Sequence, residues 1–315
     1  SLLRKLGLLN DIESSLHAAG IHFDFYDKVV TEPSVDHVEE GLRVYRQSEA
    51  DFLIGVGGGS CIDAAKGISV LATNPGKMRD FESPGKIPRP GAPLVAIPTT
   101  AGTGSEVTQV TIVTDTARDV KMVIASPNIM PRVALDDPMM TIQMPQQITA
   151  ATGLDALTHA IEAYVSVRAQ PITDALSLHA IRLISGNLRQ AWSDGSNLEA
   201  RTNMMTAALE AGLAFSNASV ALVHGMARPI GAYFHVPHGI SNAALLPTVI
   251  EFSIPGNPRR YADIAEAMGE ITTGLSVQDA AHLATKAVKQ LKEDLKIPLL
   301  RTLKIDEAKF NSVLK

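Results

Sequence analysis

Apolar positions in the first part of the chain switch repeatedly between two spacings. They recur at helical intervals over residues 12–19 and 35–46, and they form short, dense runs over 21–26, 51–56 and 93–97, the last ended by Pro98. The runs predict strands, and an Ala-rich helix is expected over 62–71. Strands alternating with helices predict a parallel sheet covered on both faces. Two β-branched stretches, 108–114 and 121–125, flank the polar segment 115–119 and predict a hairpin. The segment 81–93 is rich in Pro, Gly and Lys and predicts a surface loop. From Pro145 onward strand-like runs vanish, and helical spacing holds through 148–165, 172–184, 199–215 and 261–268. The expected organisation is an α/β domain over 1–144 and an all-helical domain over 145–315.

Length agrees with this division, since 315 residues make two domains of ordinary size. Hydrophobic residues at 45% and charged residues at 19% belong to a folded globular chain. Lys and Arg total 28 against 33 for Asp and Glu, a net charge of −5 with no long block of one sign, which argues against a nucleic-acid partner. No apolar run approaches the roughly eighteen residues of a membrane span, and the first residues lack the apolar region of a signal peptide. A cytoplasmic protein without a membrane partner is expected. With Cys61 as the single cysteine, no intrachain disulfide can form.

The strand at 51–56 runs into Gly57, Gly58, Gly59 and Ser60 and then into a helix. Such a turn lets backbone N–H groups and a helix amino terminus face an anion. The spacing of Ser60 and Asp63 equally fits a helix cap of purely structural purpose. A second strand end, at 93–97, flows into Pro98-Thr99-Thr100-Ala101-Gly102-Thr103-Gly104-Ser105. Two loops of this kind at neighbouring parallel strands would border one crevice, which favours a nucleotide or another phosphate ligand. Neither is a G-x-G-x-x-G fingerprint or a Walker loop.

Candidate metal chemistry lies further on. Asp155 and His159 are four apart in the first long helical segment and project from one face. Taken alone they fit a buried hydrogen-bonded pair. His224, His235 and His238 add imidazoles in an apolar region bent by Gly and Pro, although only nine residues of 315 are His. One carboxylate with three imidazoles suits Fe(II) or Zn(II), and ligand type does not choose between them. His17, His22, His37, His179 and His282 have no partner motif and are expected to be structural, as are the pairs Met139-Met140 and Met204-Met205.

With these motifs in order, G-G-G-S-x-x-D at 57–63, P-T-T-A-G-T-G-S-E at 98–106, G-L-D-A-L-T-H at 153–159, V-H-G-M-A-x-P at 223–229 and P-H-G at 237–239, the chain resembles the iron-containing (group III) alcohol dehydrogenases. The resemblance implies an amino-terminal nucleotide-binding α/β domain and a carboxyl-terminal helical domain, with a metal in the cleft between them. It assigns Asp155, His159, His224 and His238 to the metal. It puts Gly57, Gly58, Gly59, Ser60, Asp63, Thr99, Thr100, Thr103 and Lys121 on the side of NAD or NADP. The implied reaction is hydride transfer between a small alcohol or aldehyde and nicotinamide, with the metal as Lewis acid. A homodimer or larger homo-oligomer is expected.

The chain departs from the family's pattern in several places. It is expected to begin beyond the family's first strand and helix, whose acidic residue helps select NAD over NADP, and to end short of the last helices. Arg228 stands where many members have a second His, and His235 is expected to serve as proton relay in its place. Cys61 replaces a common Pro and is either an acidified thiol or a small residue that fits. Glu32 stands where Asn is frequent. Rival readings are an NAD- and metal-using relative of the glycerol dehydrogenase or dehydroquinate synthase type, and a shortened, non-catalytic binding protein.

Overall fold

A computed structural model of the chain describes residues 2–30, 32–82, 85–234 and 236–303. The backbone falls into two compact units, Ser1–Thr99 with Ser105–Met140, and Thr100–Gly104 with Thr141–Lys315.

In the first unit a short turn α1 (Leu2–Lys5) and helices α2 (Asn10–Ala18) and α3 (Val35–Gln47) precede strand β1 (Leu53–Gly57) and helix α4 (Gly59–Thr73). Strand β2 (Leu94–Pro98), the hairpin β3 (Val110–Asp115) and β4 (Val120–Ala125), and the two-residue strand β5 (Val133–Ala134) follow. Strands β1, β2 and β5 form a parallel sheet in that order, with Leu53 opposite Leu94 and Gly57 opposite Pro98. The predicted hairpin is present, with Val110 opposite Ala125 and Asp115 opposite Val120.

The strand expected over 21–26 does not form: residues 21–30 carry neither helix nor strand. An alternating pattern becomes a strand only where another backbone offers its hydrogen-bonding edge. Here Phe23 packs its ring on His17 and on Phe25 instead, with centroids 4.9 and 5.3 Å apart. The loop 81–93 is anchored inward by Phe81 and Ile87, both buried beside Val38, Ile68 and Met122.

Helix α4 is stitched to the segment that follows β2. Lys66 is wholly buried, and its ammonium group donates to Thr108 O (2.8 Å), Thr108 Oγ1 (2.9 Å) and Val110 O (2.8 Å), which uses all three protons. One turn earlier, Asp63 accepts from Ser105 Oγ and from Ile112 N, and its own carbonyl accepts from Thr111 Oγ1. Glu106 is buried beside this group. Burial pushes its carboxyl up to about 7, with the nearby Asp136 adding to the effect and Lys66 opposing it. Burial likewise raises Asp136 to about 6 and pulls Lys66 down to about 8.

These shifts have a definite sign in stability. An acid raised on folding contributes stability that is fully present below its unfolded value near 4.5 and is lost as pH rises through about 7. The chain is therefore expected to lose on the order of a few kcal/mol between about pH 5 and 7.5. Glu106→Gln should flatten that slope in urea unfolding followed by circular dichroism, and an unaltered slope would remove Glu106 as its source.

The second unit is all-helical: α5 (Gln146–Val165), α6 (Pro171–Ser193), α7 (Leu198–Ala218), α8 (Leu222–Phe234), α9 (His238–Ser253), α10 (Pro258–Ala267) and α11 (Val277–Asp294). Every residue of α5 from Gly153 to Tyr164 is buried, the polar Asp155, Thr158, His159 and Glu162 included, because neighbouring helices enclose it. The wholly buried Arg201 ties α7 to the start of α5 by donating to Gly195 O, Thr149 Oγ1 and Met144 O. Asn197 and Ser276 cap α7 and α11. No single helix among the described residues is long and apolar enough to cross a membrane.

Candidate metal centre and nucleotide cradle

Three helices of the second unit deliver the candidate metal ligands. Asp155 and His159 project from one face of α5, and both are buried. Helix α7 ends at Ser219, a non-glycine residue at φ 69°, and the chain turns through 102° into α8. Ser166 Oγ donates to Ala218 O and fastens that turn, and His224 enters in the first turn of α8. His238 is the first residue of α9. Gly239 beside it has no room for a side chain, since a Cβ there would lie 2.3 Å from Ala151 O of α5. That close approach brings the start of α9 against the ligand-bearing helix.

Ligand atoms of Asp155, His159 and His224 all lie within 4.8 Å of one another. His238 Nε2 is 3.7 Å from Asp155 Oδ1, and His224 Nε2 is 3.9 Å from the same oxygen. The His159 ring stacks between Phe215, at 4.2 Å, and His224, at 4.6 Å. His238 is the accessible member, with a side chain 43% exposed against 4% for Asp155.

Electrostatics prepares these atoms to share a cation. Burial pushes the His159 imidazole down to about 4, so it is neutral and keeps a lone pair. Burial alone would raise the Asp155 carboxyl, but His159, His238, His224 and the Asn242 amide together outweigh it and hold the group ionised. Glu162, one turn beyond His159, accepts from Val223 N at 2.5 Å and from His224 Nδ1 at 2.6 Å. Glu162 thus takes the Nδ1 side of His224, which leaves Nε2 as the nitrogen turned toward Asp155. His159 Nδ1 is buried with no protein partner. An ionised carboxylate, imidazole nitrogens turned toward it and an orphaned buried nitrogen fit a divalent metal. They do not fit the simple Asp155–His159 hydrogen bond that the spacing also allowed.

The cradle residues are placed as follows. Gly57 ends β1, Gly58 caps α4 without any side-chain hydrogen bond, and Gly59 and Ser60 open the helix. The cap that the spacing of Ser60 and Asp63 also allowed is absent, because Asp63 turns to Ser105 and Ile112 instead. Thr99 N donates to Gly57 O at 3.0 Å, so the ends of β1 and β2 are joined. Thr100 and Thr103 belong to the stretch Thr100–Gly104, which is part of the helical unit. There Gly104, at φ +61°, comes so close to α7 that a Cβ would lie 2.6 Å from Gly212 Cα.

Lys121 on β4 forms an ion pair of 2.6 Å with Glu32, which gives the exchange at position 32 a physical role. The Cys61 thiol is raised by burial, so the small-residue reading holds over the acidified one. Arg228 is exposed on α8, and His235 lies outside the described residues. His179 and His282 pair with Glu210 and Glu251, and His37 shares a capping box with Ser34.

Sequence profiles of known families match nearly the whole chain: "Iron-containing alcohol dehydrogenase" over residues 1–138 and "Fe-containing alcohol dehydrogenase family, C-terminal" over 149–314. The chain belongs to the iron-containing alcohol dehydrogenase family. It is an oxidoreductase of small alcohols and aldehydes that depends on a divalent metal and a nicotinamide nucleotide. It is 46% identical to 1,3-propanediol dehydrogenase of Citrobacter freundii over 307 residues, 97% of this chain and 79% of that one. With the NAD-dependent methanol dehydrogenase of Bacillus methanolicus it shares 39% identity, over 95% of this chain and 78% of that one. A crystal structure of a 1,3-propanediol oxidoreductase superposes with a TM-score of 0.97 at 45% identity, covering 99% of this chain and 82% of that one.

Two residues that motif reading passes over, Glu162 and Asn242, touch the candidate ligands. Glu162 follows Asp155 and His159 at the i+7 and i+3 positions of one helical face, and Asn242 follows His238 at i+4. Those intervals were the available signal.

Proposed function

We propose that the chain catalyses the reversible reduction of a short aliphatic aldehyde by NADH, with a three-carbon diol or hydroxyaldehyde as the preferred substrate. The convergence of Asp155, His159, His224 and His238 carries the reading, and the similarity to a 1,3-propanediol dehydrogenase and an NAD-dependent methanol dehydrogenase supports the choice of substrate and of NAD. We assign residues 1–144 to nucleotide binding and 145–315 to metal binding.

In this assignment Asp155, His159, His224 and His238 hold Fe(II) or Zn(II). A bound divalent cation supplies Lewis acidity toward the oxygen of the alcohol or aldehyde. Phe215 and Glu162 fix the rings of His159 and His224, so the ligand atoms are set before substrate arrives. Gly57, Gly58, Gly59 and Ser60 offer the uncapped start of α4 to the nucleotide phosphates. Thr99, Thr100, Thr103 and Lys121 complete the nucleotide set, and Asp63 acts by holding Ser105 and Ile112 in place.

The test is aldehyde-dependent oxidation of NADH and NADPH by anaerobically purified protein, metal-free and after addition of Fe(II) or Zn(II). Oxidation of NADH by 3-hydroxypropanal or propanal is expected only with metal present. Equal rates without metal, or no net nucleotide oxidation with any aldehyde, would overturn the reading.

A further inference from the structure

Asn242 is wholly buried on α9, one turn after His238 and on the same face. Its Nδ2 lies 2.6 Å from Asp155 Oδ1, 3.1 Å from His224 Nε2 and 3.1 Å from His238 Nε2. One amide group thus meets a single ligand atom from each of α5, α8 and α9. Its other heteroatom, Oδ1, is buried without a hydrogen-bond partner. Leaving a buried acceptor unsatisfied costs about 1–3 kcal/mol, which packing alone does not explain, since an apolar side chain of the same size would avoid it.

The amide orientation follows from its surroundings. Turned the other way, the carbonyl oxygen would face the oxygen of an ionised carboxylate at 2.6 Å, which is repulsive. With Nδ2 inward, an N–H group donates to Asp155 Oδ1, and the two imidazole nitrogens lie beside it. An imidazole nitrogen has one lone pair, which a cation would take, whereas a carboxylate oxygen retains another for an N–H donor. The bond to Asp155 is therefore the one that persists when the site is loaded.

We propose that Asn242 is a positioning residue of the metal centre: its amide fixes the Asp155 carboxylate and thereby the point on which the ligands of α5, α8 and α9 converge. The proposal rests on the assignment of Asp155, His224 and His238 to the metal. Asn242 itself does not touch the substrate, and its effect is read in metal affinity.

The experiment is a Zn(II) competition titration of the full chain against a chromophoric chelator, for wild type, Asn242→Ala and Asn242→Leu, with Asp155→Ala as control. Metal-free thermal unfolding of each variant is recorded alongside, and Leu preserves the volume if Ala does not fold. Both Asn242 variants are expected to bind Zn(II) about 10–100-fold more weakly than wild type. Binding within about threefold of wild type in the Leu variant, with or without a loss in the Ala variant, would assign Asn242 to packing and overturn the proposal. A wild-type chain that binds no Zn(II), or an Asp155→Ala chain that binds it as wild type does, would instead remove the metal-centre reading on which the proposal stands.

Discussion

Asp155→Ala is expected to abolish stable metal binding and to lower aldehyde-dependent NADH oxidation by about 10³-fold or more, while NAD binding persists. Asp155 is the one carboxylate among the proposed ligands, and Nε2 of His224 and of His238 lie 3.9 and 3.7 Å from its Oδ1. Removing it takes away the one negative charge among the candidate ligands, since the Glu162 carboxylate is turned to the far nitrogen of His224. Lewis-acid activation contributes several kcal/mol to a barrier, and each ~1.4 kcal/mol is a factor of ten in rate. Asp155→Asn preserves shape and loses the charge, so it should show the same direction with a smaller change. Metal content by mass spectrometry and nucleotide binding by fluorescence separate loss of metal from loss of fold. A metal-replete, active Asp155→Ala chain would sink the assignment of the centre.

How much of this was legible in the residues depends on how far each interaction reaches along the chain. Local periodicity located α3, α4, β1, the hairpin and the long helices from α5 to α7, because their apolar faces are set within one or two turns. It failed at 21–26, where alternation is necessary for a strand but a partner edge is also required. Spacing left a cap open at Ser60 and Asp63, but there it competes with Ser105 and Ile112, 42 and 49 residues away from Asp63. At that site the long-range bonds prevail. The His159 environment shows the same limit, since neither Phe215 nor His224 is near it in the chain, yet both stack on its ring. Glu32 and Lys121 are 89 residues apart, and nothing in their immediate neighbours marks them as a pair. Helical intervals place Asp155, His159 and Glu162 on one face without saying what that face meets.

Glu162→Gln is expected to weaken metal affinity by about 10–100-fold and to lower turnover with it, although Gln is nearly the same size. The Glu162 carboxylate is acceptor-only while ionised, and both of its oxygens face donors: Oε1 meets Val223 N, and Oε2 meets His224 Nδ1. Burial opposes that ionised form, but the His224 ring and the backbone N–H groups of α8 prevail and hold Glu162 below the ordinary carboxylate range. Glutamine carries one acceptor and one donor. If its oxygen stays on Val223 N, its NH₂ group confronts the Nδ1 proton of His224 and favours the tautomer protonated on Nε2, the nitrogen turned toward Asp155. If the amide reverses, the NH₂ group faces Val223 N–H and leaves a buried backbone donor unpaired, at a cost of about 1–3 kcal/mol. Either arrangement damages the centre without touching a ligand atom. Glu162→Ala would also empty a buried volume, so Gln isolates the electrostatic role. The decisive readings are Zn(II) affinity and the ¹⁵N shifts of the His224 ring, which report the tautomer directly. Unchanged affinity with His224 still protonated on Nδ1 would show that the ring is held by packing alone, and Glu162 would then have no part in setting the metal ligands.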